Sequence, residues 1–391
     1  MKQSRSAQDD WRNGGFGLYV HWPFCQSLCP YCDFNSYVAR SIDHRAWADA
    51  FVAEIRWYAT AFPDRILNSI FFGGGTPSLM EPFVVERIIE AARDGWPIAN
   101  DIEVTLEANP GSSERAKFQA LRSAGVNRVS LGIQAFDDAA LRTLGRRHSA
   151  EDALRAWDDA RSVFDRASFD LIYARQDQGA ESWQRELEFA LSLDPTHLSL
   201  YQLTIEENTA FGDRFRAGAL RGLPSEDLAS DLYELTQSLC NAAGLPAYET
   251  SNHAVQGQES VHNLIYWRGG DYVGVGPGAH GRLTAGHGRT ATVAAKSPDE
   301  WLRGVAAGDR RHETSETISP TERAEEYMMM ALRLSEGADL QRWEILSGAP
   351  FPSQKIAPMV DLGVLWRQDH RIGTTERGRP LLNAVLNELL C

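Results

Sequence analysis

The stretch GLYVHWPFCQSLCPYCDFN, residues 17–35, joins an apolar run to a cluster of cysteines. Three of the chain's five cysteines, Cys25, Cys29 and Cys32, lie within eight residues in the spacing C-x3-C-x2-C. Thiolates are the ligands of iron–sulfur clusters, and a tight loop lets several sulfurs converge on one cluster. A four-iron cube has four corners, so three cysteines would leave one iron open to a small molecule.

A structural zinc site is the alternative for the same stretch. His21 and the three cysteines would make a Cys3His set, which is an established zinc shell. We favour the iron–sulfur cluster because the cysteines follow the first of a series of apolar runs typical of a parallel α/β fold. In such folds the chemistry lies at the carboxyl ends of the strands. Cys240 and Cys391 stand alone, and we assign them no role.

The composition is that of an ordinary globular protein, with 43% apolar and 24% charged residues and a net charge of −14. This charge argues against a nucleic-acid partner and against a polybasic membrane anchor, since both need clustered Lys and Arg. No apolar run approaches the roughly 20 residues of a membrane span. The first fifteen residues lack the apolar core of a signal peptide, and the cysteines do not form a disulfide pattern. These features together predict a cytoplasmic protein.

Six short apolar runs alternate with helix-prone stretches in the first half of the chain. The runs are residues 17–21, 67–72, 101–107, 127–133, 168–173 and 196–203. Strands that alternate with helices imply βαβ units and a parallel sheet. Six units are too few for a closed eight-stranded barrel, so we predict an α/β fold, an open partial (β/α)6 barrel with a small, mainly helical C-terminal domain.

The predicted organisation has four segments. Residues 1–16 are a flexible tail, 17–245 the barrel, 246–296 a connecting segment, and 297–391 a C-terminal helical or winged domain. Within them, residues 224–244 are predicted as an amphipathic helix and 284–296 as a loop.

Polar and glycine residues follow several of the predicted strands. FFGGGTP ends the second strand, and its glycines would let the backbone approach a ligand closely. The stretch has no P-loop lysine, which disfavours a nucleoside triphosphate. The run GPGAHG (residues 276–281) matches G-x-G-x-x-G, but it opens no βαβ unit, so we reject a dinucleotide site there. Glu107, Gln134, Arg146 and Asp170 lie in or after the third to fifth strands, on one face of the predicted sheet, which indicates a polar ligand.

The cysteine spacing, with Tyr31 before the last cysteine, resembles the radical S-adenosylmethionine (SAM) superfamily. This resemblance implies a [4Fe–4S] cluster whose fourth iron is chelated by the amino and carboxylate groups of SAM. Six runs of the sequence resemble, in order and spacing, the oxygen-independent coproporphyrinogen III oxidase family: LYVHWPFC, FFGGGTPS, LEANPGS, NRVSLGIQAFDDAALRTLGRRH, SFDLIY and HLSLYQLTIE. The resemblance extends more weakly into a C-terminal domain like that of this family.

The resemblance implies a role for each matching residue. Tyr19 and Tyr31 would flank the cluster and SAM, and Gly74, Gly75 and Thr76 would meet its methionine part. Glu107 and Asp170 would reach polar groups of SAM, and Gln134 and Arg146 its ribose or carboxylate end. One departure is plain, because Ala174-Arg-Gln-Asp177 replaces the Gly-x-Pro-Gly turn of the family.

Two features resemble the haem-chaperone (HemW) branch of this family rather than the decarboxylases. Phe34 stands where the decarboxylases have a fourth cysteine, and only 16 residues precede Gly17. The branch also shares the motif H-N-x-x-Y-W, which is His262, Asn263, Tyr266 and Trp267 here. A histidine can ligate haem iron and aromatic rings can cover a porphyrin, but a buried helix start is the simpler interpretation of the residues alone. His253 and His280 are further candidate ligands.

The resemblance therefore implies a chaperone that binds a [4Fe–4S] cluster, SAM and haem and passes haem to respiratory haem proteins. SAM cleavage would need an electron donor such as a flavodoxin. Two alternatives stay open: an oxygen-independent coproporphyrinogen III oxidase and a zinc-stabilised binding protein without redox chemistry.

Overall fold

A computed structural model of the protein describes residues 6–112, 115–286, 288–308 and 312–390. Residues 1–5 of the predicted tail and Cys391 lie outside this range. The strands are β1 Phe16–Trp22, β2 Phe24–Cys25, β3 Tyr37–Val38, β4 Leu67–Gly74, β5 Ile98–Ala108, β6 Arg128–Gln134, β7 Arg166–Tyr173, β8 His197–Gln202, β9 Asn252–Ala254, β10 Asp271–Val275, β11 His280–Ala285, β12 Gly288–Ala294, β13 Glu313–Ile318, β14 Ala338–Asp339, β15 Leu365–Gln368 and β16 Arg371–Thr374.

The helices are α1 His44–Ala61, α2 Pro82–Gly95, α3 Arg115–Ser123, α4 Asp138–Thr143, α5 Ala150–Val163, α6 Ala180–Ser192, α7 Ala210–Arg216, α8 Glu226–Ala242, α9 Val261–Trp267, α10 Pro298–Ala307, α11 Pro320–Ala331, α12 Leu340–Ser347, α13 Ser353–Asp361 and α14 Leu382–Leu390. Short 3₁₀ turns occupy Asp10–Asn13, Pro77–Leu79, Pro110–Ser112 and Arg379–Leu381.

The six predicted strands are confirmed as β1 and β4–β8, which lie side by side in a parallel sheet. The sheet continues in both directions. β10 pairs in parallel with the other side of β1 and leads into antiparallel β11, β12 and β13, while β9 adds an antiparallel strand to β8. Within the described residues the edge strands β13 and β9 do not pair with each other, so the barrel is open.

Alternation along the strands divides apolar from polar residues. On β1 the side chains of Leu18, Val20 and Trp22 are buried in the main apolar core with helix residues such as Phe51. The other face carries polar groups, including Ser69 on β4, Arg128 on β6 and Asp170 on β7. Because neighbouring strands run in parallel, these groups point into the curve of the sheet and meet there.

Helix α9 lies inside this curve. The backbone N–H of His262 donates to Glu103 Oε1 on β5 at 3.2 Å, and its ring nitrogen Nδ1 lies 2.7 Å from Ser69 Oγ on β4. Ser260 caps the helix by accepting a hydrogen bond from the backbone N–H of Asn263 at 3.4 Å. The helix therefore fills the interior of the barrel below the carboxyl ends of the strands.

The segment after residue 246 differs from its prediction. Residues 284–296, predicted as a loop, contain the end of strand β11 and all of β12, and the connecting segment supplies β9–β12 to the main sheet. Arg and Gly residues weaken the strand pattern there, so the sequence shows no clear alternation. Helix α10 also belongs to the main body, because Trp301 is buried against Trp47 and Phe51.

The C-terminal unit has a core of its own, formed by buried residues between Ala324 and Leu389, and a small antiparallel sheet in the order β14-β16-β15. It therefore begins at α11 rather than at residue 297. The N-terminal segment is attached to it, since Asp10 accepts hydrogen bonds from Arg342 Nε and Nη2 at 2.9 and 2.8 Å and Trp11 is buried. Residues 6–16, the described part of the predicted tail, are therefore ordered, and we call them the strap.

Candidate functional site

Cys25 ends β2, and Cys29 and Cys32 lie in the loop between β2 and β3; all three are half-buried free thiols. Thr76 Oγ1 lies 3.5 Å from Cys25 Sγ, and Arg146 Nη1 lies 3.5 Å from Cys29 Sγ. Burial, with the neighbouring thiols, raises the pKa of Cys32 to about 11. Burial also raises the pKa of Cys25, and bound iron would favour the thiolate form of both residues.

The geometry disfavours the mononuclear zinc alternative. In the described part of the chain no three His, Cys, Asp or Glu side chains are placed to hold a single metal ion. The two ring nitrogens of His21 are also engaged, with Nε2 2.8 Å from Asn35 O and Nδ1 3.0 Å from Tyr19 Oη. A carbonyl oxygen only accepts, so Nε2 carries the proton and Tyr19 donates to Nδ1. With both ring nitrogens of His21 engaged, the three thiols lack the fourth protein ligand of a closed zinc shell, whereas a four-iron cluster can leave its fourth iron open.

The glycine run at the end of β4 packs directly under the cysteine loop. The backbone N–H groups of Gly75 and Thr76 donate to Trp22 O and Phe24 O at 2.7 and 2.9 Å. Gly74 has φ +107°, and a Cβ there would lie 2.6 Å from the His21 ring. The glycines are therefore required for the approach of two backbones, and Gly74, Gly75 and Thr76 line the space beneath the cysteines.

Two carboxyl groups, Glu107 and Asp170, project from the carboxyl halves of β5 and β7, the two strands that flank β6. Burial, and secondarily the charge of Asp170, raises the pKa of Glu107 to about 8. Burial also raises the pKa of Asp170, while hydrogen bonds from Ser199 and Ser130 oppose the shift. Two acids held near each other in a partly protonated state suit a ligand that donates hydrogen bonds or carries positive charge.

Gln134 and Arg146 present buried polar atoms to the same space. Gln134 Oε1 and Arg146 Nε have no hydrogen-bond partner among the described residues. Gln134 also adopts φ 72°, an uncommon conformation for a non-glycine residue. Burial alone would lower the pKa of Arg146, but Tyr31 and Cys29 nearby raise it overall. Unpartnered buried atoms of this kind are expected where a polar ligand completes the hydrogen bonds.

These residues form one cavity of about 720 Å³, within the usual size of a ligand site. Eleven of the residues predicted from the sequence line it: Cys25, Cys29, Tyr31, Cys32, Gly74, Gly75, Thr76, Glu107, Gln134, Arg146 and Asp170. We call this space the cluster cavity. The sequence analysis missed Tyr201 and His148, which also line it. Tyr201 lies near the carboxyl end of β8, so the rule that ligands bind at the carboxyl ends of parallel strands could have predicted it. No local signal in the sequence marks His148.

A second cavity of about 490 Å³ adjoins the first, and we call it the aromatic cavity. Asp33, Phe34, Gly74 and Glu107 line both cavities and form their shared wall. Tyr19 lines the aromatic cavity rather than the cluster cavity. The remaining wall includes rings and cationic groups from distant parts of the chain: Tyr266, Trp267, Tyr272, Tyr327, His280, Arg289, Lys296 and Arg323.

The H-N-x-x-Y-W residues divide between the wall of this cavity and the interior behind it. Tyr266 and Trp267 line the cavity, whereas His262 and Asn263 do not. His262 is 1% exposed, with Nδ1 2.7 Å from Ser69 Oγ and Nε2 2.7 Å from Tyr266 Oη. Both nitrogens are engaged and burial lowers its pKa to about 3, so this ring offers no free ligand atom in the observed arrangement. His253 is buried elsewhere, and His280 is the candidate that faces the cavity.

Comparison with known proteins agrees with this geometry. Residues 19–190 match the model of the radical SAM superfamily, and residues 318–381 match the HemN C-terminal domain. The chain is 36% identical to "Heme chaperone HemW" of Escherichia coli, over 95% of this chain and 97% of the relative. It is 37% identical to "Radical S-adenosyl methionine domain-containing protein 1, mitochondrial" of Bos taurus, over 95% and 87% of the two chains.

The fold has a solved counterpart. The structure described as coproporphyrinogen III oxidase (HemN) from Escherichia coli, a radical SAM enzyme, superposes with a TM-score of 0.80 at 23% identity, covering 98% of this chain and 92% of that one. This likeness supports the partial barrel and the arrangement of its C-terminal unit. With a strand-end cluster cavity, matching domains and full-length relatives, the chain belongs to the radical SAM superfamily and, within the coproporphyrinogen-oxidase-like family, to the HemW branch.

Proposed function

We propose that this protein binds a [4Fe–4S] cluster, SAM and haem, and delivers haem to acceptor haem proteins. The observation that supports this most strongly is the pair of adjoining cavities, one lined by three thiols and polar strand ends and the other by aromatic and cationic side chains. The name of the bacterial relatives, heme chaperone, points to the same function.

In this proposal Cys25, Cys29 and Cys32 hold the cluster. When bound, the cluster supplies an open iron at which SAM is held and to which an electron can be delivered. Thr76 and Arg146 would donate hydrogen bonds to the cysteine sulfurs, at the distances that they already have. Such contacts stabilise negative charge on the sulfurs and tune the cluster.

SAM would occupy the polar part of the cluster cavity. Gln134 Oε1 and Arg146 Nε would gain the partners that they lack, and Arg146 offers its guanidinium to the carboxylate. Glu107 and Asp170 would accept from hydroxyl or amino groups, which would favour their ionised forms. Gly74, Gly75 and Thr76 would lie against the methionine part, and Tyr31 would border the ligand, whereas Tyr19 lies on the side of the aromatic cavity.

Haem would occupy the aromatic cavity. The rings of Tyr266, Trp267 and Tyr272 offer apolar surface to a porphyrin, and His280 offers an imidazole to the iron. His262 would act indirectly in this arrangement, since its hydrogen bond fixes the Tyr266 hydroxyl at 2.7 Å. The motif would thus build the wall of the cavity rather than ligate the metal.

The chaperone function is favoured over coproporphyrinogen decarboxylation by the shared wall. Phe34 occupies the position at which the decarboxylases share a fourth cysteine, and its side chain lines both cavities. An aromatic ring there adds apolar surface for a flat ligand and removes a thiol from the reaction space.

The test combines binding, transfer and turnover on anaerobically reconstituted protein. We expect a saturable Soret band with haem, which His280→Ala shifts and His262→Ala leaves at its wavelength while lowering the melting temperature. Haem-loaded protein should pass its haem to an apo b-type haem protein faster than free haem exchanges. Protoporphyrinogen formed from coproporphyrinogen III with SAM and a reductant would contradict the proposal.

The acceptor, the electron donor and the compartment belong to the proposal as well. We propose respiratory haem proteins as acceptors, a flavodoxin-type protein as donor if SAM is cleaved, and a reducing compartment such as the cytoplasm. The described cysteines are all free thiols, and no helix in the described residues is long and apolar enough to cross a membrane. Several relatives carry mitochondrial names, so fractionation of cells is the direct measurement.

A further inference from the structure

Three buried arginines and the half-buried Arg342 meet near the amino end of β10 and share two buried aspartates. Arg342 and Arg323 approach Asp10, with nitrogen–oxygen distances of 2.8 and 4.0 Å. Arg65 and Arg289 approach Asp271 at 2.9 and 3.7 Å. The surface residue Asp64 also pairs with Arg65, at 2.7 Å, but it is 63% exposed. The buried part of this arginine cluster therefore carries more positive than negative charge.

Two members of the cluster, Arg289 and Arg323, line the aromatic cavity. They are 5% and 6% exposed, and the Nε of each has no hydrogen-bond partner within the described residues. Their other nitrogens have partners. Arg289 donates to Gly269 O and Gly270 O at 3.0 and 2.9 Å, and Arg323 donates to Ala7 O at 2.7 Å and to Thr284 Oγ1 at 3.5 Å. Both guanidiniums are therefore fixed in place while keeping one unused donor each.

The carboxylates around the cavity do not satisfy these donors. Asp10 already accepts two hydrogen bonds from Arg342, and Glu326 accepts one from Arg282 at 2.8 Å. Asp33 and Glu107 belong to the wall shared with the cluster cavity, at the carboxyl ends of the strands. Burial, followed by the nearby charge of Arg289, lowers the pKa of Arg323 to about 10, as expected for a cation short of a counter-ion.

The distance between the two ends of the cavity suits an elongated ligand. Asp271, beside Arg289, begins β10, and Val275 ends it opposite Val20 of β1, one residue before His21, which pairs with Gly73 of β4. Four residue steps along a strand correspond to about 13 Å. A flat ligand with carboxylate arms can therefore place its arms at the arginines and its ring against the aromatic wall.

From this geometry we propose that Arg289 and Arg323 form a carboxylate-binding subsite, which receives a propionate side chain of the porphyrin in the aromatic cavity. The assignment rests on the proposed haem function and adds the orientation of the ligand. Propionates would lie at the arginine end, between the C-terminal unit and the strap of residues 6–16, and the opposite edge of the porphyrin would face the cluster cavity. Lys296, another cation in the wall of the aromatic cavity, is not needed for the subsite.

The test compares ferric haem with haem dimethyl ester, which has the same ring without carboxylates, on the cluster-loaded full chain. Wild-type protein should bind haem about tenfold or more tightly than the ester, as expected for charge-assisted hydrogen bonds in a buried site. Arg323→Gln and Arg289→Gln should remove most of this preference, whereas Arg268→Gln, a surface arginine paired with Glu336, should keep it. Melting temperature and SAM affinity of each variant report whether its fold is intact.

Each outcome has a distinct meaning. Equal affinity of the wild type for the two ligands would overturn the subsite and leave haem binding standing. A preference for haem that survives in both glutamine variants would overturn the assignment to these two arginines. Binding of neither ligand would overturn the haem function and the subsite together.

Discussion

Replacing Glu107 by Gln should remove a pH-dependent loss of stability from the protein. Glu107 projects toward the two cavities from the carboxyl end of β5, and burial raises its pKa from 4.5 to about 8, with Asp170 adding to the shift. In the unfolded chain the Glu107 carboxyl has its ordinary pKa of 4.5 and is ionised when the pH is above that value. Between pH 4.5 and about 8 the folded protein therefore holds one more proton than the unfolded chain. Stability from this group falls as pH rises through that window and levels off above it.

The magnitude follows from the two pKa values. Integrating the linkage relation between about pH 6 and about pH 8.5 gives a loss of about 2–3 kcal/mol from this single group. Water within the cavity would screen the charge, so the figure is an upper limit. For 391 residues, an unfolding entropy of about 2 cal/mol/K per residue converts it to about 3 °C in melting temperature. Gln is neutral at every pH and nearly the same shape, so the variant should lack this component.

The assay is thermal unfolding of cluster-loaded protein without SAM at both pH values, for the wild type, Glu107→Gln and the control Glu181→Gln. Glu181 lies on the exposed surface of α6, where its side chain is 94% exposed. We expect the wild type and the control to lose about 3 °C more than Glu107→Gln between the two pH values. An identical decrease in all three proteins would refute the assignment of a buried, protonated carboxyl to this position.

Three further predictions concern the cluster, SAM and one turn. Serine at any one of Cys25, Cys29 or Cys32 should lower bound iron and sulfide to a small fraction of the wild-type content, whereas Cys240→Ser, in the apolar core, should leave both unchanged. Gln134→Leu should weaken SAM binding in calorimetry by about tenfold, because SAM would lose the hydrogen bond that the buried Oε1 of Gln134 accepts, and an unchanged dissociation constant would contradict the site. Asp177→Gly should raise the free energy of unfolding in urea by about 0.5–1 kcal/mol, since Asp177 is exposed and has φ 55°; a decrease would show that its side chain stabilises the turn.

Much of the fold and the cluster cavity follows from local sequence rules. The strands β1 and β4–β8 are short apolar runs with buried outer faces, and a parallel sheet brings their carboxyl ends to one edge. Residues as distant as Cys25 and Asp170 can therefore be assigned to one cavity without a structure. The turn at residues 174–177 keeps the backbone conformation that the glycines of the family would adopt easily. Ala174 and Asp177, which replace those glycines, have φ 56° and 55°.

The aromatic cavity depends on contacts that no local pattern encodes. Arg289 and Arg323 come together because β12 extends the sheet and α11 is tied to β11 by the hydrogen bond from Arg282 to Glu326. The pairing of β10 with β1 is not marked in either strand. The position of His262 is a further example. The sequence shows a histidine and a tyrosine on one helix face, and the structure confirms that spacing, but only the fold shows that the ring points into the barrel toward Ser69.

Native mass spectrometry of the anaerobically reconstituted chain, with SAM and haem added, tests the central claim most directly because it counts every bound group in one molecule. The two adjoining cavities predict a species that carries one [4Fe–4S] cluster, one SAM and one haem at the same time, with His280→Ala reducing the haem-bound fraction. A chain that holds zinc in place of the cluster, or one in which haem and SAM exclude each other, would contradict the account.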